Sequence, residues 1–449
     1  MCLYHHRSGP FYDKWEALGE EKRKKIISGN LDEYVRFAAR SAPFYKKRLA
    51  DYDRNSRFPL AGVPVLAPAR FRALLPPLSR ALVTGGETAY NVFQSGGTTG
   101  SPKTTLFSNA ELEQLTLPNA RGFYACGLDP SDRVADLFAV GGLYMTFLHV
   151  NRMLQQYGCM NFPFSNHTPS DFVGAVAKLF KINCVAGISS VVLSALRNID
   201  AARPGALKLK KIYYGGEHLY ESDKDELRGK FGAGIILAPG YGTVDTWYIG
   251  YQCLQCPTGI FHAHDDQCYI EIMDKETGKH CASGETGMLY ATPFLRRLTP
   301  IVRYGVGDRA RWLKDKCACG RTTPLFELQG RGDDILRIGF DSVDYGCVQA
   351  AVARAKGPTG AVQMEKKREK GKDRLVVRVE ADGAVSRRGE LRAAIEREIV
   401  RDRPTLSKSI AEHTVLPLRL ELLGRGEIPR NPRTGKLSRV IQQVGEGNR

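Results

Sequence analysis

The sequence predicts an α/β protein with a large N-terminal α/β domain and a smaller α+β domain after it. Three observations carry this. Between about residues 90 and 330, short apolar runs alternate with helical stretches, the pattern of strands buried beneath helices. A turn-rich segment, Gly330-Arg-Gly-Asp-Asp334, interrupts the pattern, and the texture beyond it changes to a half-exposed strand and an amphipathic helix. At 449 residues the chain is long enough for two or three domains, taking roughly 150 residues for each. The expected boundaries are 1–332 and 333–449.

In chain order, residues 11–52 read as helical up to Pro43, with Leu31, Tyr34, Val35 and Ala38 at helical spacing. Buried strands are expected at Arg133–Val140, Ile182–Gly187 and Lys211–Tyr214, with helices at 169–181 and 189–198 between them. Cys268–Met273 and Gly287–Ala291 add strands. In the second domain, 373–381 alternates like a strand and 386–401 is an amphipathic helix.

The 43% hydrophobic and 25% charged composition is that of a globular protein. Charge is the unusual feature: 65 Lys+Arg against 48 Asp+Glu leave +17. Residues 351–449 hold 23 of the basic and 13 of the acidic side chains, a net of +10. Such an excess suits an acidic partner. No helix-turn-helix, finger or RNP-like aromatic pattern accompanies it, so a nucleic-acid-binding protein is the remoter reading and no nucleic-acid partner is expected. No apolar run reaches about 18 residues, so no membrane span is expected. The N-terminus lacks an apolar signal region, and eleven cysteines, an odd count, suit reduced thiols or a metal site in the cytosol.

The strongest local signal is Gln94-Ser-Gly-Gly-Thr-Thr-Gly-Ser-Pro-Lys103. Gly96, Gly97 and Gly100 permit close backbone approach to an anion, Ser95, Thr98 and Thr99 offer hydroxyls, and Lys103 offers charge. The spacing is neither that of a Walker loop nor that of a dinucleotide fingerprint. The segment resembles the phosphate loop of the adenylate-forming superfamily, which includes acyl-CoA ligases, peptide-synthetase adenylation domains and luciferases. Further segments resemble that family in its own order: Tyr214-Gly-Gly-Glu217, Gly240-Tyr-Gly-Thr-Val-Asp245, Arg303-Tyr-Gly-Val-Gly-Asp308, Gly330-Arg-Gly-Asp-Asp334 and Ile428-Pro-Arg-Asn-Pro-Arg-Thr-Gly-Lys436. Cys317-Ala-Cys-Gly-Arg-Thr322 resembles the phenylacetate–CoA ligase subgroup.

The resemblance implies an enzyme, an AMP-forming acid–thiol ligase. It would activate a carboxylic acid with ATP to acyl-AMP and pyrophosphate, then transfer the acyl group to a thiol. It implies ATP contacts from Ser95 to Gly100, Lys103, Gly216, Glu217, Tyr241, Gly242, Thr243, Asp308 and Arg331. Asp308 would hold the ribose hydroxyls, and Lys436 would act at the α-phosphate and carboxylate oxygens. Asp245 stands where the family has the glutamate that holds magnesium, and Val244 where it has Thr or Ser; Thr243 is the candidate for the missing hydroxyl. Asp333 would be the hinge about which the second domain moves as a lid.

A structural zinc site is expected from Cys256, His262, Cys317 and Cys319, with Cys253 as competitor. Two short chelating pairs from distant segments are a common arrangement for tetrahedral zinc. His264 and Asp265 are read as solvated. By the family pattern the acyl pocket draws on Phe138, Gly141, Tyr144, Gly215, Ala238, Pro239 and Gly240, a mixture of small and aromatic residues that suits a flat aromatic acid. The acceptor is expected to be CoA. A carrier protein or an amine stays open because Ile335-Leu-Arg-Ile-Gly-Phe-Asp-Ser-Val343 departs from the turn usual in CoA ligases. A homodimer also stays open.

Overall fold

The computed structural model describes residues 9–85, 90–94, 104–216, 219, 221–332, 334–338, 341–355, 359–369, 372–381, 385–413, 415–430 and 437–442. The chain folds as two compact units that divide between Gln329 and Gly330, so the expected boundary falls just inside the second.

The first unit contains a five-stranded parallel sheet in the order Met160–Pro163, Arg133–Leu137, Cys184–Ile188, Lys211–Gly215, Ile235–Leu237. The helices Thr146–Tyr157, Ser170–Leu179, Ser189–Ala202 and Glu221–Phe231 connect these strands. Every residue of Cys184–Ile188 is buried, as a parallel strand covered on both faces requires. The apolar runs read from the sequence are these strands, displaced by one to three residues at their ends. Alternation splits one strand between two cores. Ala135 and Leu137 pack into the larger core with Tyr34 and Phe71, whereas Val134 and the following Phe138 pack with Ala120, Phe123 and Tyr213.

A seven-stranded sheet follows, in the order Cys268–Met273, Gly287–Pro293, Tyr304–Trp312, Leu325–Arg331, Ile260–Ala263, Trp247–Tyr251, Tyr241–Thr243. Three strands separate Tyr304–Trp312 from Tyr241–Thr243. In a flat sheet, four spacings of about 4.8 Å would hold them roughly 19 Å apart. Side chains of the two nonetheless touch, as described below, so the sheet is strongly curled. Tyr241, Phe261, Phe326 and Trp312 fill its concave side, with ring centroids 5.4–6.1 Å apart.

The N-terminal segment is tied to this unit by buried charge. Glu16, 0% exposed, accepts from Tyr251 Oη at 3.1 Å and pairs with Arg321. The helix Glu20–Ser41 carries Arg23, which pairs with Asp265 at 2.9 Å.

The second unit has its own core, centred on Leu336, Val343, Val377, Ile395 and Leu406. A hairpin, Ile335–Ile338 with Asp341–Asp344, precedes a four-stranded sheet ordered Arg419–Leu423, Lys372–Ala381, Thr359–Glu369, Val440–Gln442. The expected strand and helix appear as Lys372–Ala381 and Val385–Asp402. Among the described residues, no helix of either unit is long and apolar enough to cross a membrane.

Candidate active site and cysteine cluster

Two of the sequence motifs share an internal spacing, an aromatic residue four positions before an aspartate: Tyr241…Asp245 and Tyr304…Asp308. The structure cross-links them. Tyr241 Oη donates to Asp308 Oδ2 at 2.5 Å, and Tyr304 Oη donates to Asp245 Oδ2 at 2.5 Å. Tyr304 and Asp308 both belong to the strand Tyr304–Trp312, whose pairing slips register between Gly305 and Arg309, where Gly307 takes φ 90°. These short phenol–carboxylate contacts are of the charge-assisted kind. Asp308 is half-buried and Asp245 only 2% exposed.

The turn after Tyr241 explains its composition. Thr243 Oγ1 lies 3.0 Å from Thr246 Oγ1 and accepts from Thr246 N at 3.2 Å, so its hydroxyl closes this turn. Val244 packs in the apolar cluster of Phe93, Phe107 and Trp247. Gly242 is exposed, and Trp247 takes the left-handed region at φ 60°. Behind this segment lies Arg296, 0% exposed and not anticipated from the sequence. It donates to Thr105 and Thr299 at 3.0 and 2.8 Å and stacks on Phe107 at 3.6 Å. Burial holds its pKa below the ordinary guanidinium value, while Glu111, Tyr34 and Asp245 act in the opposite direction.

The expected acyl-pocket residues gather at the carboxyl ends of the parallel strands, where open α/β sheets take their ligands. Phe138 follows Arg133–Leu137, Gly215 ends Lys211–Gly215, and Ala238, Pro239 and Gly240 follow Ile235–Leu237. Phe138 lies 3.6 Å from where a Cβ on Gly215 would sit. A Cβ on Gly240 would come within 2.5 Å of the Tyr248 ring, so only glycine allows that ring to lie there. Gly216 turns the chain at φ 75°, in the left-handed region. Gly141 is exposed and begins a turn of three left-handed residues with Gly142 and Leu143, closed by Tyr144 N donating to Gly141 O at 2.9 Å. Its glycines therefore serve the turn, and Tyr144 stands half-buried after it.

Arg331 and Asp334 form a turn, each backbone N–H reaching the other residue at 3.3 Å. Ser95, Gly96, Gly97, Thr98, Thr99, Gly100, Lys103, Glu217, Asp333 and Lys436 lie outside the described residues.

The cysteines converge as a group. One ligand atom each from Cys253, Cys256, His262 and Cys317 lies within 4.8 Å of all the others. The thiols of Cys253 and Cys256 are 3.5 Å apart and those of Cys253 and Cys317 3.6 Å. Two Zn–S bonds of about 2.3 Å at a tetrahedral angle place sulfurs about 3.8 Å apart, so the donor set fits zinc in both chemistry and size. His262 Nδ1 lies 3.1 Å from Thr323 Oγ1, which orients the ring so that Nε2 faces the thiols. Cys256 is pushed down to about 6, chiefly by its hydrogen bond with Cys253, and so favours the thiolate a metal requires. Membership differs from the expectation. Cys253 joins the set, because the turn at Cys253–Cys256 is closed by Cys256 N donating to Cys253 O at 3.0 Å. Cys319 lies 3.5 Å from His262 Nε2 and stays outside the mutual group.

His264 and Asp265 are not solvated. His264 is 0% exposed and its Nδ1 lies 3.1 Å from Arg121 Nη1; burial brings it down to about 3, so it is neutral and accepts. Arg121 also pairs with Asp13 and Asp266, each at 2.8 Å, and Asp265 accepts from Trp15 Nε1 at 2.8 Å. Charges 108 and 145 positions apart in the chain leave no local pattern from which such a network can be read.

No protein-family model matches the chain. It is 23% identical over 439 residues to a phenylacetate–coenzyme A ligase of Thermus thermophilus, covering 95% of this chain and 98% of that one. It is 22% identical over 297 residues to the phenylacetate–coenzyme A ligase of Escherichia coli, covering 66% and 67%. Among solved structures, 2-hydroxyisobutyryl-CoA ligase in the postadenylation state superposes with a TM-score of 0.82 at 21% identity, over 98% and 94% of the chains. ATP-bound MatB from Rhodopseudomonas palustris gives 0.56 at 17%, over 78% and 66%. The chain thus has the fold of the adenylate-forming enzymes and homologues among the phenylacetate–coenzyme A ligases.

Proposed function

We propose that this protein joins a carboxylic acid to coenzyme A at the expense of ATP. The acid's carboxylate oxygen attacks the α-phosphorus, the bond to the β-phosphate breaks, and acyl-AMP and pyrophosphate form. The thiol sulfur then attacks the acyl carbon and AMP leaves. The observation that carries this reading is the Tyr241–Asp308 hydrogen bond of 2.5 Å, which unites the two motifs the resemblance assigns to adenine and ribose. An ionised Asp308 accepts both ribose hydroxyls, and Tyr241 supplies an aromatic face. Catalysis in such transfers is mainly positioning and charge neutralisation. Asp245 offers the carboxylate oxygen that suits magnesium, which would neutralise phosphate charge. Lys436 is the cation proposed at the reacting oxygens. Cys253, Cys256, His262 and Cys317 would hold a structural zinc ion, with no open position needed. The mixed aromatic and glycine character of Phe138, Gly215 and Gly240 favours an aromatic acid.

Acid-dependent pyrophosphate release by the purified protein, run with and without coenzyme A, tests the reading. We expect release with at least one aromatic acid, and a coenzyme A thioester by mass when the thiol is present. Release without a thioester would redirect the second step to a carrier protein or an amine. Absence of release with every acid would remove the activity.

A further inference from the structure

The strand Arg133–Leu137 contains a residue that the fold does not explain. Asp136 is 0% exposed in the middle of an apolar parallel sheet. Its Oδ1 accepts from Phe138 N at 3.0 Å, whereas Oδ2 is buried with no hydrogen-bond partner among the described residues. Alternation directs Asp136 to the face of Val134 and Phe138. Its register partner there is Ala186, a small side chain. The same face carries Phe138 against Gly215, and the Asp136 carboxyl and Tyr144 are the ionisable groups that act on the phenol of Tyr248, the ring lying over Gly240. A helix packed on this core carries a second orphan: Asn119 is 0% exposed, and neither its Oδ1 nor its Nδ2 has a partner among the described residues. Its helix, Thr116–Ala125, packs Ala120 and Phe123 into this core and sets Gly122 against the Pro239 carbonyl.

Buried polar groups are nearly always hydrogen-bonded, and an exception calls for an explanation. Burial raises the Asp136 carboxyl to about 8, which is the cost of leaving it without a partner. In the Tyr241 and Asp245 segments, one oxygen of each carboxylate is engaged by a phenol, Asp308 Oδ2 by Tyr241 and Asp245 Oδ2 by Tyr304. Among the described residues, Asp136 Oδ2 and the Asn119 amide have no such partner, and Asp136 stands two positions before Phe138, one of the residues expected to hold the acyl group.

We propose that Asp136 determines acid specificity, and that the acid carries a hydroxyl or amino group remote from its carboxylate that hydrogen-bonds to Asp136 Oδ2. Asn119 would line the same polar floor. This rests on the ligase reading above and narrows it from aromatic acids in general to hydroxyl- or amino-bearing ones. A site built to hydrogen-bond such a group rejects the analogue lacking it far more strongly than an apolar pocket rejects an extra methyl.

The test is pyrophosphate release by the full-length protein with benzoic and phenylacetic acids that are unsubstituted or carry a 3- or 4-hydroxyl, amino or methyl group. Wild type should favour a hydroxyl or amino acid over its methyl isostere by more than about 100-fold in kcat/KM. Asp136→Leu should bring the ratio within about 3-fold while leaving the KM for ATP unchanged, and Asp136→Asn, which keeps a hydrogen-bonding group at that position, should retain a preference. If Asp136→Leu does not fold, the wild-type ranking and Asp136→Asn decide. Equal or better turnover of the methyl or unsubstituted acids by wild type would overturn the proposal and leave the ligase reading standing. So would a preference that Asp136→Leu preserves. No release with any acid would overturn both.

Discussion

Two regions of the first unit bury charge in opposite ways. Around Arg121, every charge has a partner: Asp13 and Asp266 at 2.8 Å and a neutral His264 at 3.1 Å. In the core beneath the parallel sheet, one oxygen of Asp136 and the Asn119 amide have none among the described residues. The first region spends buried polarity on joining distant segments, so its side chains belong to the fold. The second holds it at a cost to stability, which persists where something other than folding requires it. The cysteine cluster lies between these cases: its thiols lie close together, but a metal ion would complete it.

The largest effect that would sharpen this comparison is loss of the metal. Zinc is expected at about one per chain by elemental emission, and Cys256→Ser or a strong chelator should remove it and lower the melting temperature by roughly 10 °C or more. Full stability in the stripped protein would place the cluster with the inert buried thiols. Next is Arg121→Met, which leaves Asp13 and Asp266 facing each other without a cation. A loss of about 3–5 kcal/mol is expected in denaturant unfolding, and a loss below about 1 kcal/mol would show that the network contributes little.

The smallest effect has the opposite sign. Asp136 is raised from 3.8 to about 8, so the folded state keeps a proton that the unfolded chain releases above pH 4. Its contribution to stability is therefore present at low pH and is lost as pH rises towards 8. Asp136→Asn should match wild type near pH 4 and become progressively more stable than wild type as pH rises to 9, the direction expected for removing a buried carboxyl that must ionise. A pH-independent difference would mean that Asp136 has a partner in solution.

Much of this architecture could be read locally. Strands such as Cys268–Met273 emerged within their expected limits because a run of buried apolar residues is itself the signal. The ends of Arg133–Leu137 were less accurate, since Phe138 continues the apolar run after the strand has finished. The aspartate in that run passed as part of an apolar strand, because neither its depth nor its orphaned oxygen leaves a trace in the residue order. His264 and Asp265 were misread because a short charged segment looks solvated until Arg121 and Arg23 arrive from elsewhere in the chain.

The residue order alone established the α/β class, the succession of motifs and the thiols and imidazole available to a metal, since these depend on periodicity and on residue type at short spacing. The pairing of Tyr241 with Asp308 and of Tyr304 with Asp245, the gathering of Cys253, Cys256, His262 and Cys317, and the orphaned oxygen of Asp136 were decided by the tertiary fold. Each depends on which distant atoms come within about 3 Å of one another, and here the curl of one sheet and the packing of a helix on another set that distance.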